Sequence, residues 1–211
     1  MKLKGLAIAL VLLLSLATLL CSCSEKYESE ELVASAIPLV EASVEINEIF
    51  YGAGMPYVES VEGETQMLGN YRRVDAGYLA KIGVNSIDDL KEMTSKVYST
   101  GACEVIFSTK LSSVSDGSTL AGYAEYTTLG DGLCVYLKRQ DYIGAKTELH
   151  TDTISVVSVK KDRVTLKMDV TLSRDNEIQK RVKEFVMIKE DGEWRLDSMT
   201  YIAWDDEFVT E

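Results

Sequence analysis

The sequence contains very little histidine, proline or positive charge. Its 211 residues include 1 His and 2 Pro, and 22 Lys and Arg stand against 34 Asp and Glu, for a net charge of −12. A single histidine excludes a metal site built from several histidines, and no zinc-type cysteine spacing is present. The acidic excess argues against nucleic acid as a partner, because phosphate binding depends on clustered Lys and Arg.

Long apolar runs are also absent, apart from one at the amino terminus. Lys2 and Lys4 precede an uncharged run of 16 residues from Gly5 to Leu20. A helix that spans a bilayer needs about 20 apolar residues, so this run is short for a spanning segment. Positive charge followed by an apolar core of this length is typical of a secretory signal.

The apolar run ends in Leu20-Cys21-Ser22-Cys23, which resembles a bacterial lipobox. Cys23 fits the modified position better than Cys21. The small Ser22 precedes it, whereas the large Leu20 precedes Cys21. The resemblance implies that residues 1–22 are a lipoprotein signal peptide and that Cys23 carries the lipid on the outer face of the cell membrane. An uncleaved anchor and an ordinary secreted protein are the alternatives.

The segment 23–31 is polar and acidic, which predicts a short solvated tether to a single domain at residues 32–211. Loss of Lys2 and Lys4 with the leader changes the net charge from −12 to −14. Anionic headgroups repel a body of this charge, so we expect only the lipid to contact the membrane.

Two cysteines, Cys103 and Cys134, lie within the predicted domain. Outside the cytoplasm they can form a disulfide, which on a chain-entropy estimate would add about 3–4 kcal/mol of stability. They can equally be two buried thiols that behave as small apolar residues. Pairing requires a short Cα separation that sequence does not give, so both interpretations stay open.

The first half of the domain has helical periodicity. Pro38 either opens the first helix at its first turn or kinks it. Ser86 starts a capping-box-like sequence before a second helix, and Ser99 or Thr100 begins a third. The predicted inner faces are Leu39, Ala42, Ile46, Ile49, Phe50 and Ala53 in the first helix, Ile87, Leu90, Met93 and Val97 in the second, and Cys103, Phe107 and Leu111 in the third.

From Gly122 onward the apolar period changes to two, which predicts strands. Gly130-Asp131-Gly132 and Asp191-Gly192 mark two hairpins. The strand 163–172 alternates cleanly, with Val164, Leu166, Met168, Val170 and Leu172 on one side. A sheet with one apolar and one polar face is antiparallel, so the fold class is α+β: two or three amino-terminal helices packed on a curved antiparallel sheet.

Two resemblances follow from this order. The helices followed by a curved antiparallel sheet resemble the NTF2-like, cystatin-type cone. A hairpin similar to one that recurs in NTF2-like domains follows a charged strand, with the sequence Asp191-Gly192-Glu193-Trp194-Arg195-Leu196. This resemblance implies the NTF2-like fold. The pattern of 86–91, 97–100 and 132–136 is similar, over about seventy residues, to the IseA-type proteins of Gram-positive bacteria. That narrower resemblance implies an inhibitor of cell-wall D,L-endopeptidases.

Catalytic chemistry has one weak candidate. Glu148 and His150 share a strand face, two residues apart, and form an alternative acid–base pair of the kind found in NTF2-like hydratases and isomerases. The competing interpretation is an exposed strand edge with mixed polar residues, which we favour because nothing predicts a desolvated pocket. We therefore expect no catalytic residue, no metal and no cofactor.

The sequence favours a membrane-anchored extracytoplasmic lipoprotein that acts as a non-enzymatic binding module. Its expected partners are the membrane, through the lipid only, and a cell-wall hydrolase or other envelope protein, as the IseA-type resemblance implies. An NTF2-like enzyme and a small-ligand-binding lipoprotein are the alternatives.

Acylation at Cys23 is directly testable. Mass spectrometry of the mature amino terminus is expected to find a lipid-modified cysteine, and Cys23→Ala is expected to release the protein from the membrane fraction. Cys21→Ala is the matched control and is expected to stay anchored. Membrane association that survives Cys23→Ala would contradict the prediction.

Overall fold

The computed structural model describes residues 27–59, 70–111, 124–130, 132–137 and 145–204. The predicted signal peptide, Cys23 and the first part of the tether lie outside the described residues. All the described helices end by Lys110, and all the described strands except one short strand follow them. The strands form antiparallel sheets, so the predicted α+β class is confirmed. The elements are α1 (Ser29–Tyr51), β1 (Tyr71–Arg73), α2 (Ala76–Ile82), α3 (Ile87–Ser95), α4 (Thr100–Lys110), β2 (Tyr126–Leu129), β3 (Gly132–Tyr136), β4 (Lys146–Lys160), β5 (Arg163–Arg174), β6 (Glu177–Glu190) and β7 (Glu193–Leu196).

Helix α1 is longer than the periodicity predicted. It begins at Ser29, so it includes the last three residues of the predicted tether, and Pro38 lies exposed in its interior. Ala42 and Ala53, assigned to the inner face, are exposed. The buried stripe starts about two turns earlier than predicted and includes two polar residues. It consists of Leu32, Ala36, Val40, Ser43, Ile46, Asn47, Ile49 and Phe50. None of the helices within the described residues is long and apolar enough to cross a bilayer.

The caps of α3 and α4 confirm the predicted helix starts. The Ser86 side chain accepts a hydrogen bond from the Asp89 amide, and the Ser99 side chain accepts one from the Ala102 amide. Each bond satisfies an amide that has no partner inside the helix. Val97 is buried but lies beyond the end of α3, so its place on that helix was wrong.

The described strands form two sheets, not the single curved sheet that the alternation predicted. One contains β1, β3 and β2 in that order, and the other contains β4, β5, β6 and β7. Short β1 was missed because three residues are too few to display a period. The second hairpin turns through Asp191 and Gly192, both with positive φ, as an Asp-Gly turn requires.

The alternation predicted for β5 is confirmed. Each of its five apolar side chains is at most 1% exposed, and the residues between them face the opposite side of the sheet. Helix α1 packs on this four-stranded sheet, chiefly along β4. The apolar face of the sheet is therefore the floor of the core.

A buried polar network fixes α1 to the rest of the molecule. Asn47 Nδ2 donates to Thr200 Oγ1 at 2.6 Å, and the Tyr98 hydroxyl donates to Asn47 Oδ1 at 2.8 Å. The Ser43 and Thr200 hydroxyl oxygens lie 2.6 Å apart. Three segments distant in sequence thereby meet at one amide, and burial raises the pKa of Tyr98 to about 12.

The Tyr126 hydroxyl fixes the three-stranded sheet to the end of α1. It donates to the Ile49 carbonyl at 2.8 Å and accepts from the Met55 amide at 3.0 Å, while its ring packs edge-on against Phe50. Gly54 lies against it with a φ of 79°, and a Cβ at this position would meet the hydroxyl at 3.1 Å. The tyrosine therefore satisfies the helix end and closes the core at the same point.

Removal of the Tyr98 hydroxyl tests the network. Tyr98→Phe leaves the buried Asn47 oxygen without its donor, so the free energy of unfolding is expected to fall by about 1–3 kcal/mol. Urea unfolding followed by circular dichroism measures it. Tyr57→Phe, at a half-buried tyrosine outside the network, is the control and is expected to stay within about 0.5 kcal/mol. Equal effects of the two substitutions would contradict the role assigned to the network.

Candidate functional site

Within the described residues, apolar side chains are packed at the centre of the apolar face of the four-stranded sheet. Leu166, Met168 and Val170 are each at most 1% exposed and belong to the same apolar core as the buried residues of α1. Trp194 is half-buried, and its ring meets that of Tyr27 edge-on at 5.1 Å. Apolar side chains therefore fill this part of the core.

The opposite, polar face of the same sheet carries a groove of about 430 Å³. Strand pairing places Glu148, Thr171 and Lys180 in one row across β4, β5 and β6. The next row contains His150, Asp169 and Val182. Neighbouring rows on one sheet face lie within side-chain reach of each other, so residues from three strands line the groove together.

A bulge in β4 shapes the groove. The four residues 151–154 lie opposite the single residue Met168 of β5, so the ladder is interrupted there. The Thr153 hydroxyl bridges the gap, because it donates to the His150 carbonyl at 2.7 Å and accepts from the Asp169 amide at 2.8 Å. The bulge adds Thr153 to the groove lining beside Asp152, where a regular strand would offer only alternate residues.

Glu148 and His150 share a strand face, as predicted, but the histidine hydrogen bond is made elsewhere. His150 Nε2 lies 2.8 Å from Thr171 Oγ1, on the neighbouring strand. Glu148 is exposed. Asp169 is the residue paired with His150 on the neighbouring strand. Glu148 and His150 are therefore not hydrogen-bonded as an oriented acid–base pair. They lie on a strand surface of mixed polar residues.

The groove combines both signs of charge with apolar surface. Asp152 and Asp169 supply carboxylates, and Lys180 supplies an ammonium group. Val182 and Ile178 on β6 are 62% and 68% exposed, the largest values among the large apolar residues described. Exposed apolar side chains beside fixed charges are typical of contact surfaces, so the groove is suited to binding.

Sequence reasoning missed Lys180, Thr153 and Val182. The signal for Val182 was available, because Ile178, Lys180 and Val182 alternate on the face of β6 that lies opposite the buried Phe185 and Met187. No sequence pattern predicts the role of Thr153 at the bulge, because that role depends on the register between β4 and β5.

Cys103 and Cys134 are buried thiols in the structure and are not joined to each other. The Cys103 thiol donates to the Tyr98 carbonyl, and the Cys134 thiol donates to the Gly132 carbonyl, each at 3.6 Å. The disulfide interpretation therefore has no counterpart in the structure. Burial, with a smaller contribution from the Glu190 carboxylate, raises the pKa of the Cys103 thiol to about 11.

Thiol titration tests this assignment. In protein with Cys21 and Cys23 changed to Ser, unfolding without reductant is expected to expose two thiols. The native protein at pH 8 is expected to react slowly at Cys103, because a thiol with a raised pKa remains protonated and buried. Finding no thiol in unfolded, unreduced protein would restore the disulfide.

No family model matches the chain, and no curated protein matches it. The NTF2-like and IseA-type resemblances therefore stay predictions, as do the lipid anchor at Cys23 and the location outside the membrane.

Proposed function

We propose that this protein is a membrane-anchored extracytoplasmic lipoprotein that acts as a non-enzymatic binding module. The observation that carries the proposal is the contrast between the two faces of its main sheet. Leu166, Met168 and Val170 close the apolar face, whereas the polar face leaves a groove open beside Val182 and Lys180. Enzymes need reacting groups in a shielded site, whereas binding modules present exposed anchors.

The partner class is an envelope protein, and the IseA-type resemblance makes a cell-wall hydrolase the first to test. A chain of net charge −14 after loss of the leader attracts a basic partner and speeds encounter at low salt. Val182 and Ile178 supply apolar anchors of the kind that hold such a complex together. The lipid at Cys23 restricts the module to the membrane surface, where such partners act.

A salt series and one substitution at an apolar anchor test the polar face. The purified protein is expected to slow digestion of purified cell walls by a cell-envelope extract, and the effect is expected to weaken as NaCl rises from 0.05 to 0.5 M. Val182→Asp is expected to reduce potency about tenfold or more, since anchors of an interface commonly contribute over 1 kcal/mol.

Val105→Asp is the matched control. Val105 lies on α4 and is 61% exposed, almost the same as Val182 at 62%, so both substitutions add one charge at an exposed valine. Full potency of Val182→Asp would remove the groove from the proposal. No effect of the wild-type protein on digestion at any salt concentration would remove the hydrolase as partner.

His150→Ala separates the binding module from the enzyme alternative. Loss of a general base lowers turnover roughly 10²–10⁴-fold. The binding module predicts no turnover of envelope components by either protein, measured by mass spectrometry of wall digests. Turnover that is present in the wild type and lost in His150→Ala would establish the enzyme instead.

A further inference from the structure

Strand β4 is an outer strand of the four-stranded sheet. Among the described strands its only neighbour is β5, so the backbone groups along its other edge have no strand partner there. Val157 and Val159, near its end, are 47% and 43% exposed. An outer strand with exposed apolar side chains is a template for pairing with a further strand.

Helix α1 runs alongside this edge in the opposite direction. Its first turns lie near Ile154 and Val156, and Val44 lies near Leu149. Between α1 and β4 lies an apolar groove of about 460 Å³. Its lining is apolar apart from Ser29, Glu30 and Ser155, and comprises Ser29, Glu30, Val33, Ala34, Ile37, Ile154, Ser155 and Val156.

The groove occupies the place where inward-facing side chains of an added strand would lie. Val159 is paired with Val164, which is fully buried, so Val159 belongs to the apolar face of the sheet although it is exposed. Val159 lies on an outer strand, whereas Val164 lies between two strands. An added strand beside Ser155–Lys160 would bury Val159 and fill the groove against Val33.

Carboxylates follow the same side of α1. Glu30 lines the groove, and Glu41 lies one turn beyond Ile37 on that side. Glu48 lines the smaller hollow at the other end of β4. Acidic groups beside an apolar groove favour a partner that carries Lys or Arg.

We propose that the Ser155–Lys160 edge of β4 and the adjoining side of α1 form a strand-addition site for an extended protein segment in which apolar residues alternate and basic residues flank them. Main-chain hydrogen bonds to β4 would hold the segment, and the groove would select its inward side chains. A second copy of this chain is a poorer occupant, because each copy carries a net charge of −12 or below. Two irregularities in the ladder, the bulge at 151–154 and the extra residue Val157 between Val156 and Ser158, limit the added strand to a short segment.

This site is independent of the groove on the polar face. Neither Lys180 nor Val182 contributes to it, so either site can fail while the other stands.

A displayed library of random twelve-residue peptides, selected on the immobilised full chain with Cys21 and Cys23 changed to Ser, tests the site. Enriched peptides are expected to alternate apolar residues and to carry Lys or Arg. Val33→Glu is expected to weaken their binding at least tenfold, and Val105→Asp is expected to leave it unchanged. No enrichment over the blank surface, or equal loss in both variants, would overturn the proposal.

Backbone pairing has its own readout. Two versions of one enriched peptide, N-methylated at odd or at even residues, are expected to differ, because only every second amide of an added strand faces β4. One version is expected to keep its affinity and the other to lose at least tenfold. Equal affinities of the two versions would overturn strand addition.

Two further measurements decide against other occupants. Sedimentation of the chain without peptide is expected to give a monomer; a dimer broken by Val33→Glu would assign the edge to a second copy. Flotation with vesicles of anionic phospholipid is expected to leave the chain unbound. Binding to vesicles that Val33→Glu abolishes would assign the face to the membrane and overturn the proposal.

Discussion

The amide of Asn47 is the point on which the arrangement of the molecule depends. It joins Tyr98, from the connection between α3 and α4, to Thr200, from the segment after the sheet, and both partners are almost completely buried. A buried amide costs free energy unless its donors and acceptor are matched, so few orientations of α1 are compatible with it. The network thus fixes where α1 crosses the sheet, and apolar packing alone would define that position less strictly.

The position of α1 decides which surfaces remain for function. Because the helix covers the apolar face along β4, the interior of the sheet becomes core and its polar face is left to solvent. The same placement leaves the outer edge of β4 without a further strand among those described, and an apolar groove lies between this strand and α1. Both proposed contact surfaces therefore depend on the position of α1, although they lie on different parts of the sheet and use different residues.

The polar face obtains its shape from an irregularity in the ladder. Regular pairing would have left Asp152 and Thr153 on opposite sides of β4, whereas the bulge presents both to the groove. The Thr153 hydroxyl replaces the hydrogen bonds that the bulge removes, so the distortion leaves the neighbouring amide satisfied. A short hydroxyl side chain at this position thus makes a concave surface compatible with a stable sheet.

Sequence alone determined the features that depend on neighbours along the chain. The Ser86 and Ser99 caps, the Asp191-Gly192 turn and the alternation of β5 were predictable because capping, positive φ and period two are local properties. Tertiary structure decided the rest. Asparagine is usually a surface residue, so residue type alone predicts that Asn47 is exposed. The hydrogen-bond partner of His150 is a threonine 21 residues away. Long-range register and packing set both outcomes, and no local pattern contains that information.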